Sequence, residues 1–243
     1  MGTRLGCSRS PRVLEVRVYA VNGELVVTDD LPGAFASKVI SAFANRPGEE
    51  FDIALSGGPT ARACYERLAV DGAQEIDWLV VNFYWSDERC VPPDDPDSNE
   101  LLVRQALLER VGAANAVYPM RCDEGLDAYQ LRIGGIGQLD VVHLGMGADG
   151  HTASLFPGSA ALDADPGQLV TFSEDPNRVN NHPRMTFTYS AIARARLVIF
   201  TVAGEVKRPA MEALVAGRDI PAARVRAGRI LWLVDKDAAP RNL

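Results

Sequence analysis

The residues best placed for chemistry lie in one run: Leu139-Asp140-Val141-Val142-His143-Leu144-Gly145-Met146-Gly147-Ala148-Asp149-Gly150-His151-Thr152-Ala153-Ser154-Leu155-Phe156-Pro157. An apolar, strand-like segment gives way to closely spaced glycines, and an acid, an imidazole and a hydroxyl follow at Asp149, His151 and Thr152. An imidazole can take a proton from water near neutral pH, and a nearby carboxylate can orient it. Gly145, Gly147 and Gly150 would let the backbone approach a ligand closely. Read as letters, residues 145–150 also match the dinucleotide fingerprint G-x-G-x-x-G, which needs a long following helix and a ribose-binding acid at the next strand end. Pro157 interrupts any such helix, and Asp163 and Asp165 fall in a loop-like segment, so that reading is weak. Taken alone, the run is equally a glycine-rich turn whose histidine is satisfied by a neighbour.

Three other strand ends carry polar residues. Residues 51–55 read as a short strand that runs into Ser56-Gly57-Gly58-Pro59-Thr60, and a helix is expected over 61–69. A strand, a glycine turn and a helix N-terminus present free N–H groups and a partial positive charge, an arrangement suited to phosphate, with a tight ligand-free turn as the alternative. Residues 78–85 form the next apolar strand and end in Ser86-Asp87-Glu88-Arg89. Arg89 could clamp an oxyanion or pair with Asp87 or Glu88 on the surface. Residues 197–203, uniformly apolar as in a strand buried on both faces, lead to Gly204-Glu205-Val206-Lys207. A lysine near a helix start opposes the dipole and hints at an anionic partner, although an exposed, unpaired lysine reads the same way.

The elements that must position these residues alternate along the chain. A strand over 13–21 precedes the turn signal Asn22-Gly23, and helices are expected over 31–45, over 101–111 behind an N-cap at Ser98, over 126–133, and from Lys207 to about 216. Short strands are expected at 117–120, 184–189 and 230–234, with a polar loop over 173–182. Alternating strands and helices imply an α/β fold with a mostly parallel central sheet covered on both faces, which brings the four polar strand ends to one edge. The 243 residues fit one domain over 13–243 behind a loose leader at 1–12.

Composition narrows the function. Hydrophobic residues at 47% and charged residues at 23% are ordinary for a globular chain. A net charge of −7 argues against a nucleic-acid or anionic-membrane binder. No apolar run is long enough to span a membrane. Cys7, Cys64, Cys90 and Cys122 are scattered without a C-x-x-C pair, so reduced thiols in a cytoplasmic protein are expected, and no zinc site.

In order and in residues, Leu55-Ser56-Gly57-Gly58, then Trp85-Ser86-Asp87-Glu88-Arg89 with Val91-Pro92 and Ser98-Asn99, then residues 144–157, then Val202-Ala203-Gly204 with Lys207, the chain resembles the 6-phosphogluconolactonases over about 13–234. The resemblance implies a Rossmann-like three-layer sandwich shared with glucosamine-6-phosphate deaminases and ribose-5-phosphate isomerases. It also implies hydrolysis of 6-phospho-D-glucono-1,5-lactone to 6-phosphogluconate in the pentose phosphate pathway, with no cofactor and no metal. By resemblance His151 is the general base and Asp149 its orienting partner. Gly57, Gly58, Thr60, Asp87, Arg89, Gly147, Arg184 and Lys207 are the substrate and phosphate set. A monomer is expected, with a weak homodimer as the alternative.

Two departures stand out. Pro59 replaces a hydroxyl residue, which leaves Thr60 as the substitute, and the loop before Arg184 reads Asn177-Arg178-Val179-Asn180-Asn181-His182-Pro183 where the family carries a lysine-proline-rich approach. No role is carried onto His182, and His143, inside its strand, reads as a core histidine. A sugar-phosphate isomerase or deaminase of the same fold is the nearest alternative. Deaminases, however, read Met-Asp-Glu-Tyr at the Asp87-Glu88 position and continue differently after the histidine. A non-catalytic sugar-phosphate sensor is the other.

Overall fold

The computed structural model describes residues 13–17 and 22–241. The 1–12 leader and residues 18–21 of the expected first strand lie outside the described residues. The chain runs β1 (Val13–Arg17), β2 (Glu24–Thr28), α1 (Leu31–Ala44), β3 (Phe51–Leu55), α2 (Pro59–Asp71), β4 (Val81–Trp85) and β5 (Asp87–Arg89). It continues through α3 (Asn99–Val103), a π-helical turn (Arg104–Leu108), α4 (Glu109–Val111), β6 (Ala116–Tyr118), α5 (Gly125–Gly135) and β7 (Leu139–Gly145). The last third holds β8 (Val170–Ser173), β9 (Arg184–Phe187), α6 (Tyr189–Ile192), β10 (Ala195–Val202), α7 (Arg208–Val215) and β11 (Arg229–Asp235).

The main sheet has the order β1-β2-β11-β10-β7-β3-β4-β6. Every neighbouring pair from β2 to β6 is parallel, and only the edge strand β1 runs antiparallel. Helices cover both sides, which is the expected α/β sandwich. Parallel strands covered on both faces are buried without alternation, and β4, β7 and the second half of β10 are, with Asn82, Asp140, His143 and Thr201 as buried polar exceptions among mostly apolar residues. The helices bury one stripe each. In α1, Phe35, Ala36, Val39 and Phe43 face inward, and Asp30 caps the start by accepting from Gly33 N–H at 3.0 Å, a contact typically worth about 1 kcal/mol.

The sheet order places the site. From β3 the chain winds outward through β4 and β6 on one side; from β7 it winds through β10 and β11 on the other. The strand order therefore reverses between β3 and β7, and a crevice opens beyond their carboxyl ends. Those ends carry the turns Ser56–Thr60 and Gly145–His151.

Two features depart from expectation. Residues 184–187 do form a strand, but it lies in a separate three-stranded antiparallel sheet, β5-β9-β8, that also takes in Asp87–Arg89 and part of the expected 173–182 loop. Cys90 and Cys122, expected as reduced thiols, are joined by a disulfide with Cα atoms 5.3 Å apart. The sequence hides this contact because 32 residues separate the pair. Pairing of β6 with β4 brings the loop after β6 back beside the end of β5. In the chain-entropy picture, closing such a loop contributes about 3–4 kcal/mol. Cys64 is a buried free thiol, and Cys7 lies outside the described residues. No helix among the described residues is long and apolar enough to cross a membrane.

Candidate active site

A cleft of about 370 Å³ lies at the switch point. It is lined by Gly57, Gly58, Thr60, Asp87, Arg89, Gly147, His151, Arg184 and Lys207, so nine of the ten expected site residues meet there. The tenth, Asp149, stands behind His151.

The turn after β3 is built for an anion. Gly58 is the N-cap of α2, with φ +94°, and Pro59 takes the first helical position, where a missing N–H costs nothing. The N–H groups of Thr60 and Ala61 then head the helix as first-turn donors. Tyr65, one turn along α2, ties the turn down: its hydroxyl accepts from Ser56 N–H at 2.7 Å and lies 2.8 Å from His143 Nδ1. His143 Nε2 meets Thr201 Oγ1 at 2.9 Å, so one fully buried imidazole links β3, β7 and β10 beneath the cleft. Burial pushes its pKa down to about 3, which keeps it neutral, as a core histidine should be. Gly57 is required by its neighbour, because a Cβ there would meet Asn99 Oδ1 at 1.7 Å.

The turn after β7 is built differently. Gly147 N–H donates to the His151 carbonyl at 2.8 Å and Gly150 N–H to the Gly147 carbonyl at 3.0 Å, closing a tight reversal that feeds no helix. These two N–H groups are occupied within the turn, so neither is available to an oxyanion. The imidazole of His151 lies against Gly147, where a Cβ would approach Nδ1 to 2.1 Å. Asp149 Oδ1 meets His151 Nδ1 at 2.6 Å and accepts the His151 backbone N–H at 3.1 Å. Partial burial alone would raise the Asp149 pKa, but these bonds and the imidazole's charge outweigh it, and the net shift is downward. The carboxylate therefore stays ionised. No protein group among the described residues bonds His151 Nε2, whereas the Thr152 hydroxyl is turned inward to the Gly145 carbonyl at 2.9 Å.

Three cations line the same cleft with little to neutralise them. Arg184 is 7% exposed. Its nearest carboxylate is Asp87, at 3.7 Å, and its Nε has no partner. Burial depresses its pKa, with Asp87 acting in the opposite sense. Arg89 bonds the Asp97 carbonyl, its Nε is likewise unpaired, and among the described residues it makes no ion pair, so the surface pairing with Asp87 or Glu88 is not formed. Lys207 also lacks a salt bridge among the described residues. Desolvation lowers its pKa, with the charge of Asp149 opposing. Buried donors without acceptors carry a desolvation cost that a bound phosphate would relieve. Asp87 is held by Ser154 Oγ at 2.7 Å and by the Asn99 amide, which donates to its carbonyl at 2.9 Å.

Sequence reasoning gave no role to Asn99 or Glu88. Glu88 is buried beneath the cleft wall and accepts the N–H groups of Arg89, Asn99 and Glu100 at 2.7, 2.8 and 2.6 Å, which locks β5 to the start of α3. Desolvation raises its pKa to about 7 against those bonds. The N-cap signal at Ser98 was the available clue, since a helix start with free N–H groups attracts a carboxylate. His182 pairs with Asp97 at 2.9 Å and does not line the cleft.

The family model for glucosamine-6-phosphate isomerases/6-phosphogluconolactonase matches residues 26–232. The chain belongs to this family. It is 41% identical over 207 residues to a 6-phosphogluconolactonase of Nostoc sp., covering 77% of this chain and 83% of that protein. It is 36% identical over 210 residues to one of Mycobacterium tuberculosis, covering 78% and 84%. Among solved structures, the 6-phosphogluconolactonase of Thermotoga maritima superposes with a TM-score of 0.76 at 28% identity, covering 87% of this chain and 98% of that one. A monomeric glucosamine-6-phosphate deaminase superposes at 0.72 with 16% identity, which shows the shared fold alone.

Proposed function

We propose that this protein is a 6-phosphogluconolactonase, acting as one domain over 13–243 to hydrolyse 6-phospho-D-glucono-1,5-lactone to 6-phospho-D-gluconate, with His151 as general base. The observation that carries the reading is the 2.6 Å contact between His151 and Asp149 beside a cleft lined by Arg89, Arg184 and Lys207. The names of relatives that span most of the chain support the same activity.

A lactone carbonyl is already electrophilic, so the missing component is a nucleophile. Asp149 accepts the Nδ1 proton of His151, which fixes the tautomer and leaves Nε2 able to take a proton from water. The water oxygen attacks C1 and the carbonyl electron pair moves onto oxygen. Collapse of that intermediate breaks the bond from C1 to the ring oxygen, and the ring oxygen recovers the proton from Nε2. One water is thus divided between the new carboxyl group and the freed hydroxyl. The cations and the first turn of α2 hold the phosphate far from the reacting carbon, and their contribution is positioning.

Purified protein should release acid from the phosphorylated lactone at a rate that His151→Ala lowers by about 10²–10⁴. Turnover of glucosamine 6-phosphate in place of the lactone would favour the isomerase or deaminase reading instead.

A further inference from the structure

The Cys90–Cys122 disulfide has no part in the chemistry above, yet it adjoins the segment that carries two of the three cleft cations. Cys90 follows Arg89 directly, and its N–H donates at 2.8 Å to the carbonyl of Pro183, the residue before Arg184. Arg89 and Arg184 face each other in the β5–β9 register. The Arg89 guanidinium has one protein acceptor, the Asp97 carbonyl, so its position depends on the backbone of 89–97. Both sulfurs belong to half-buried residues that open onto a recess of about 510 Å³, also lined by Arg89, Pro92 and Arg121.

We propose that Cys90–Cys122 is a thiol–disulfide exchange site, through which a dithiol reductant weakens the hold of the cleft on the substrate phosphate. A thiolate of the reductant attacks one sulfur and the Sγ–Sγ bond breaks. The displaced cysteine leaves as a thiolate and is protonated by solvent. The second thiol of the reductant then resolves the mixed disulfide. The protein gains two electrons and two protons, and the dithiol becomes a disulfide. Arg89, which makes no ion pair among the described residues, lines the same recess as both cysteines, whereas Arg121 is held by Glu100, and a cationic neighbour favours the thiolate and so improves the leaving group. In a reducing compartment such a bond is transient rather than structural.

Reduction frees Cys90 from the loop at 122 and removes one anchor of Arg89. The β5–β9 ladder and the three N–H bonds to Glu88 remain, so the site persists and the change falls on KM. The inference rests on the phosphate role of Arg89 proposed above.

The test begins with a thiol count. In a Cys7→Ser background treated with a mild oxidant, the denatured protein should present one thiol, Cys64, to a maleimide, and three after dithiothreitol. KM for the phosphorylated lactone should then rise about fivefold or more on reduction, with kcat held within about twofold, and return on reoxidation. The double variant Cys90→Ser/Cys122→Ser should show the reduced KM under both conditions. Three reactive thiols after the oxidant treatment, or an unchanged KM after complete reduction, would overturn the proposal. Arg89→Ala separates the two readings. A raised KM in that variant, together with no effect of reduction on the unsubstituted protein, defeats the exchange site alone, whereas an unchanged KM in the variant defeats the phosphate assignment on which it rests.

Discussion

The two glycine turns at the switch point, one after β3 and one after β7, begin alike and end in opposite uses. Each follows a buried apolar strand, and each contains a glycine whose missing Cβ is demanded by a side chain packed against it: Asn99 at Gly57, His151 at Gly147. The first turn feeds the 13-residue helix α2, so its donors and dipole are aligned outward and its own side chains matter little. The second feeds no helix. Its N–H groups close on the turn itself, and the chemistry falls to the side chains of Asp149 and His151. A turn that continues into a helix offers aligned donors to an anion, while a turn that closes on itself offers only its side chains.

Breaking the presenting turn should have the largest effect. His151→Ala should lower kcat by about 10²–10⁴ while KM for the phosphorylated lactone stays within about threefold, read from steady-state kinetics. Gly147→Ala keeps both reactive residues but forces the imidazole off its position, and a displacement of that kind should cost about 10² in kcat. If Gly147→Ala is silent, the close packing at that turn does not set the geometry.

Breaking the holding side should act on binding. Arg184→Met or Lys207→Met should raise KM for the phosphorylated lactone by about 10- to 100-fold, the size of one lost charge-assisted bond, and leave the unphosphorylated lactone almost unaffected. Equal losses on both substrates would mean that these cations position the ring and not the phosphate. The Lys207 pKa is lowered by desolvation, so its charge is lost on the alkaline side below the ordinary lysine range. KM should therefore rise with pH there, and Lys207→Arg should move the rise to higher pH.

Much of this division was legible before any coordinates. The order of strand-end motifs, the helix after Gly58 and the break at Pro157 are local signals, and they sufficed to separate a turn that feeds a helix from one that does not. What stayed hidden depends on contacts between distant segments. Ser86-Asp87-Glu88-Arg89 reads as a polar strand end, yet its two acids, Asp87 and Glu88, are each 4% exposed because α3 and β9 close over them. Pairing of β6 with β4 likewise brings Cys122 to Cys90, a contact with no sequence spacing to announce it.

The smallest effect tests that buried wall. The folded-state pKa of Glu88, about 7, lies above its ordinary value of 4.5, so the folded state holds its proton more tightly than the unfolded one. The resulting stability is complete below the unfolded value and lost as pH rises through about 7. Tm should fall across that window in the native protein, and this component of the fall should be absent in Glu88→Gln.

The division between the turns is tested most directly by the structure of the protein with 6-phosphogluconate bound. The phosphate should lie within hydrogen-bond distance of Arg89, Arg184, Lys207 and the first turn of α2, and the C1 carboxylate beside His151 Nε2. A phosphate seated on the Gly145–His151 turn, with C1 remote from His151, would contradict it.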